Sequence, residues 1–194
     1  MKKKILFLLY LIFIIGCLSQ SDSNSEKDIF FEKIVSLDIS RNGYTLGKKL
    51  TDSQKQKAQK TIIKNPFPGT FKFKDHDQFI VADKKTDRIM IIYEHYKQAS
   101  KEKVRDLIGS FFMEYGTPTI IAHSKSIYWI YDKNGIVSEV EYQKIKESGK
   151  KLDALSTIKI IASESIAASR NYKPGMFYYV ISSEPMLNLV ATFD

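Results

Sequence analysis

The chain has 194 residues, 43% of them hydrophobic and 27% charged, a mixture that excludes both a disordered chain and one that crosses a membrane repeatedly. A single cysteine excludes any intramolecular disulfide, and with it a stapled miniprotein or a cysteine-rich zinc site. Lys and Arg number 30 against 22 Asp and Glu, a formal charge of +8, which falls to +5 if Lys2, Lys3 and Lys4 are removed with a leader.

A leader is what the first residues predict. Met1-Lys2-Lys3-Lys4 is a basic start, and Ile5 to Ile15 is an unbroken apolar run ending at Gly16-Cys17. At ~1.5 Å per helical residue the run reaches about 16 Å, against a bilayer core of about 30 Å that needs roughly 20 apolar residues. It is too short to span and has the basic, apolar and small-residue sections of a secretory signal peptide. Ile14-Ile15-Gly16-Cys17 resembles the lipobox of bacterial lipoproteins, with Ile14 in place of the commoner Leu. The resemblance implies cleavage between Gly16 and Cys17 and a diacylglyceryl thioether on Cys17. Two or three acyl chains, at about 0.8 kcal/mol per buried methylene, hold a protein on a membrane almost irreversibly. Leu18, where an aspartate tends to mark retention at the inner membrane, implies an outer membrane facing the periplasm in a cell that has one, and otherwise the outer face of the cell membrane. Residues 18–28 are polar and serine-rich and read as a tether that extends to about 36 Å.

A single α+β domain is expected over 29–194. Phe30, Phe31, Ile34, Val35, Leu37 and Ile39 mix helical and alternating spacing, so the first element is left open, and Arg41-Asn42-Gly43-Tyr44 signals a turn. Thr51-Asp52-Ser53-Gln54 is a capping-box pattern that predicts a helix to about Lys64, stopped by Pro66. Thr70–Lys74, Gln78–Ala82 and Arg88–Tyr96 then read as an antiparallel meander, the last run apolar on both faces and therefore central. Ser100 should cap a second helix whose stripe of Val104, Leu107, Ile108, Phe111, Phe112 and Tyr115 faces a sheet and which Gly116 and Pro118 end. Thr119–Ala122, Ser126–Tyr131 and Ile136–Tyr142 read as three more strands, with a positive-φ turn at Asp132-Lys133-Asn134-Gly135. Lys144–Ala154 reads as a loop, Thr157–Ile161 as a strand, and Met176–Ile181 with Leu187–Phe193 as a closing hairpin.

Residues 50–98 and 99–147 thus share a helix-then-three-strand pattern, either a duplication or two similar meanders. The expected architecture is an antiparallel sheet from two such units plus a C-terminal hairpin, with helices packed on one face. In pattern alone, over Leu46 to Tyr142, this is similar to small outer-membrane assembly lipoproteins and β-lactamase inhibitory proteins.

Catalytic vocabulary is sparse. Nucleotide loops, His-Glu-x-x-His and Gly-x-Ser-x-Gly are missing from the sequence, which implies no cofactor. Asp75-His76-Asp77 contains metal-ligating residue types, but neighbours on a turn splay apart and no metal site is expected. His95, preceded by Glu94, and His123 are the acid–base candidates, placed in comparable regions of the two units. Only Arg41, Arg88, Arg105 and Arg170 among the basic residues are arginine; base readout favours arginine forks, which argues against nucleic acid. Tyr128, Trp129, Tyr131, Phe177, Tyr178 and Tyr179 alternate within strands, so about half should be core and half can form an outward platform. The leading expectation is a lipid-anchored envelope module that binds another envelope protein or a polymer without catalysis. The alternatives are a periplasmic enzyme using His95 or His123 and an inhibitor-like module acting on an envelope enzyme.

Overall fold

The computed structural model describes residues 28–64, 67–166 and 173–191; Gly16, Cys17 and nearly all of the polar stretch lie outside the described residues. The ambiguous first segment is a helix, α1 (28–35), which turns Phe31 and Ile34 inward. Arg88 fastens it. That buried guanidinium lies 4.8 Å from the centre of the Phe31 ring, donates to the Gly47 carbonyl at 3.0 Å and reaches Glu32 at 3.2 Å. Next, β1 (Ser40–Arg41) and β2 (Tyr44–Thr45) form a hairpin whose two loop residues, Asn42 and Gly43, have φ of 50° and 84°. Asn-Gly adopts this pair of angles readily, so the turn read from the sequence fixes a tight corner.

Helix α2 (Asp52–Lys60) opens on the expected capping box: the Gln54 amide donates to Thr51 Oγ1, and the Thr51 amide donates to Gln54 Oε1 at 2.9 Å. It ends four residues early. Thr61 turns its hydroxyl back onto the Lys57 carbonyl, and Ile62–Ile63 form a two-residue strand, β3, because the β-branched run Thr61-Ile62-Ile63 pairs with β4 at little cost. The meander follows as β4 (Thr70–Asp75), β5 (Gln78–Asp83) and β6 (Ile89–Ala99). Helix α3 (Lys101–Tyr115) has Ser100 as its N-cap, accepting from the Lys103 amide, and ends at Gly116 with φ of 74°. Val104, Leu107 and Phe111 are buried as the stripe predicts; Phe112 sits at its edge, its ring 5.6 Å from that of Trp129.

Strands β7 (Ile120–Ala122), β8 (Ser126–Asp132) and β9 (Gly135–Ile136) come next. Of the expected strand over Ile136–Tyr142 only Ile136 is in β9, and the expected loop begins as a helix, α4 (Glu139–Glu147). The physical cause is another cap. Ser138 accepts from the Glu141 amide at 3.2 Å, with Glu139 and Glu141 in the first turn and Lys144 and Lys146 in the last, the charge order that suits a helix dipole. The chain continues through β10 (Ser156–Ala162) and β11 (Gly175–Ser182) into α5 (Glu184–Ala191). Leu187 to Phe193 is therefore not a strand over its described part. Ser183 accepts from the Met186 amide at 3.3 Å, and Pro185 lies in the first turn, where its missing N–H costs nothing. The C-terminal hairpin is β10 with β11.

The main sheet has nine strands in the order β3-β4-β5-β6-β11-β10-β8-β7, with β9 also on β8, and every ladder is antiparallel. The molecule is thus an α+β fold built on an antiparallel sheet. Strand β6 is central as expected, between β5 and β11. The two edge strands, β3 and β7, have two and three residues.

Burial alternates along the C-terminal hairpin and so separates two faces. Phe177, Tyr179 and Ile181 on β11, with Ile158 and Ile160 on β10 and Trp129 on β8, have no more than traces of exposed surface. Helix α3 lies on them: the Phe111 ring is 4.8 Å from Tyr179 and 5.9 Å from Trp129. Tyr178, Val180, Lys159, Ile161 and Tyr128, pointing the other way, are only half-buried. Among the described residues no helix is long and apolar enough to cross a membrane.

Candidate functional site

One cross-strand row on the α3-covered face changes from apolar to polar along its length. Register places Asp75 beside Gln78, Gln78 beside Glu94, and Glu94 beside Tyr179, before the row continues into Ile160 and Ile127. Glu94 is buried, and a buried carboxylate is costly unless donors surround it. They do. The Tyr179 hydroxyl donates to Glu94 Oε1 at 2.8 Å, Asn42 Nδ2 donates to the same oxygen at 3.3 Å, and the Tyr96 hydroxyl donates to Oε2. Gln78 Nε2 in turn donates to the Tyr179 hydroxyl at 3.2 Å. The tight Asn42-Gly43 corner is what carries Asn42 over the sheet to complete this network.

The same hairpin delivers Arg41. Its guanidinium lies 4.5 Å from the Phe111 ring centre and 5.7 Å from that of Tyr179, donates to Ser110 Oγ at 2.8 Å and pairs with Glu114. Burial pulls its pKa down, but the bond and charge of Glu114 outweigh this and raise it. Burial first, and then the Glu94 carboxylate, push the Tyr96 and Tyr179 phenols well above their ordinary range, so both are neutral donors at any physiological pH.

A cavity of about 260 Å³ opens beside this network. It is lined by Asn42, Gln78, Glu94 and Tyr96 of the network, by Asp75, His76 and Asp77 from the β4–β5 turn, and by Lys103 from the start of α3. Lys103 lies 4.9 Å from the Tyr96 ring centre. Asp75 is tied on three sides, accepting from Lys57 Nζ at 2.7 Å and from the Tyr44 hydroxyl at 2.8 Å, with His76 Nδ1 2.8 Å from its other oxygen. Burial pushes the Asp75 pKa up, but the bonds from Lys57, Tyr44 and His76 together hold it below the ordinary carboxylate value. His76 pays for its position with a φ of 53°, which is what a two-residue turn between Asp75 and Gln78 demands.

The histidines expected to carry chemistry are elsewhere. His95 is exposed on the opposite face, its ring 6.3 Å from Tyr178, while Glu94 next to it points into the cavity, so the two do not act together. His123 is exposed in the β7–β8 turn, with a φ of 51°. Strands β11, β10 and β8 lie between β6 and the end of β7, so four spacings of about 4.8 Å place the two imidazoles on the order of 19 Å apart. The two do not meet. The imidazole that does meet a carboxylate beside a cavity is His76, whose side chain is 91% exposed. Among the described residues no group of three or more His, Cys, Asp and Glu side chains is placed to hold a metal ion. Of the aromatic runs, Trp129, Phe177 and Tyr179 are core, the Trp129 indole donating to the Gly116 carbonyl at 3.0 Å, whereas Tyr128 and Tyr178 point to the second face.

Sequence reasoning named Glu94 only as a neighbour of His95 and missed Asn42, Gln78, Tyr96 and Tyr179 as its partners. One signal was available: Met90, Ile92 and Glu94 share the phase of a strand buried on both faces, so Glu94 had to enter the core side with donors around it. Apart from Tyr96, two residues on along the same strand, the partners come from three distant segments that only the fold unites. No family model, curated protein or solved structure matches the chain.

Proposed function

We propose that this protein is a lipid-anchored module of the cell envelope that binds a ligand or partner at the Glu94 cavity without transforming it. The anchor rests on the lipobox-like Ile14-Ile15-Gly16-Cys17. The binding role rests on one observation: Glu94 is a buried acceptor already oriented by two phenols and the Asn42 amide, with Gln78 holding the Tyr179 phenol, beside open space, so a donor-rich ligand meets a prearranged surface. Preorganisation of this kind lowers the ordering cost of binding. Acid–base chemistry by the Asp75–His76 pair is the second reading, and the nearly complete exposure of His76 favours binding over it.

Cys17→Ser is expected to leave the domain folded and to release it from membranes. Metabolic labelling with a radioactive fatty acid checks this, and equal incorporation in the two forms would overturn the anchor. Crosslinking in living cells through a photoreactive residue at Asp77, on the cavity lining, is expected to capture a discrete partner that Glu94→Gln loses; capture unchanged by that substitution would remove the cavity from the binding role.

A further inference from the structure

We infer that the lysine-and-ring rows on the second face of the sheet, the one opposite α3, contact an anionic phospholipid surface. The inference rests on the anchored reading above, since a held chain samples a nearby bilayer at high effective concentration, and it assigns that bilayer a second contact in addition to the acyl chains.

The carrying observation is a register row that crosses seven strands. Lys74 pairs with Phe79, Phe79 with Tyr93, Tyr93 with Val180, Val180 with Lys159, Lys159 with Tyr128, and Tyr128 with Ile120. At about 4.8 Å per strand it is about 29 Å long. Phe79 and Tyr93 are stacked with ring centres 4.9 Å apart. Lysines stand at one end and within the row: Lys74 Nζ is 5.6 Å from the Phe79 ring centre and Lys159 Nζ is 5.4 Å from that of Tyr128. The next row contains His95, Tyr178, Ile161 and Ser126. Strand alternation adds exposed Lys97 and, on β11, exposed Met176. Neither row contains a carboxylate, and among the described residues Lys74, Lys97 and Lys159 form no ion pair.

Charge complementarity therefore specifies an anionic partner. The interleaved rings specify one that is also apolar beneath its charges. A phospholipid interface has both layers, with phosphates at the level of the ammonium groups and acyl carbons at the level of the rings, where tyrosine and snorkelling lysine are favoured. A polar glycan phosphate offers only the first.

The test uses the full chain on vesicles of phosphatidylcholine alone and of phosphatidylcholine with one part in about three of phosphatidylglycerol, with lysine acylation read by mass spectrometry. Anionic vesicles should lower labelling of Lys74, Lys97 and Lys159 about threefold relative to neutral ones, leave Lys60 on α2 unchanged, and lose this protection in about 1 M salt, where the screening length is about 3 Å. Lys74→Gln with Lys159→Gln should abolish protection of Lys97 while the melting temperature holds. Equal labelling on both vesicles, with the protein recovered on each, overturns the face contact and leaves the anchor standing; protein recovered on neither overturns both. Protection by soluble poly(glycerol phosphate) without protection by vesicles overturns the lipid assignment in favour of an anionic polymer.

Discussion

Tyr178 and Tyr179 are neighbours in the chain and have little else in common. Tyr179 points toward α3, where it is fully buried, bridges Gln78 and Glu94, and packs on Phe111. Tyr178 points to the second face, half-buried beside His95. The same contrast runs across the sheet: the α3 face gathers carboxylates around an enclosed network, while the other spreads lysines over rings. Because successive side chains alternate sides, one sheet presents two chemistries at one backbone cost.

The largest expected effect tests the packing half of this contrast. Phe111→Ala should cost about 3–5 kcal/mol, since it removes a fully buried ring from Trp129 and Tyr179, whereas Phe79→Ala on the half-open row should cost well under half as much. Denaturant unfolding of the two variants measures both, and equal losses would show that the second face is as closed as the first. Tyr179→Phe comes next, at about 1–3 kcal/mol, because Glu94 loses a buried donor; Tyr93→Phe, one strand away on the other face, should fall within about 0.5 kcal/mol of the parent.

Acid sharpens the comparison further. The folded Asp75 pKa lies below its unfolded value, so ionised Asp75 contributes stability that is complete above the ordinary carboxylate value of about 4 and is lost as pH falls through the lower folded value. Asp75→Asn should therefore destabilise the protein at neutral pH and narrow the drop in melting temperature between about pH 6 and about pH 3. An undiminished drop would mean that other carboxylates carry the acid response. The smallest effect is expected from Lys74→Gln, within about 0.5 kcal/mol by the same unfolding assay, as suits an exposed lysine without an ion pair among the described residues.

Much of the architecture was legible because its signals are local. The capping box at Thr51, the stripe of α3 with its Gly116 stop, the Asn42-Gly43 corner and the centrality of β6 each follow from a few adjacent residues. The errors come from segments where two local signals compete. Ile136, Val137 and Val140 supply β-branched residues that suggest a strand, yet Ser138 with Glu141 three residues on is a helix start, and the cap prevails once the strand has only two residues of partner to pair with. At Leu187–Phe193 the apolar run suggests a strand, while Ser183 and Pro185 set up a helix first. The candidate site was the least legible part. Asn42, Gln78, Glu94, Tyr96 and Tyr179 lie in four segments, and their meeting depends on the β6–β11 pairing, which spans about eighty residues and has no local signature.

The brevity of the outermost strands has a further consequence. Strand β8 is fringed by β7 and β9 over most of its outer side, and β3 gives β4 only two rungs. On the β8 side, among the described residues, an outside strand finds few vacant amides and carbonyls in line, so that edge offers little for edge-to-edge growth.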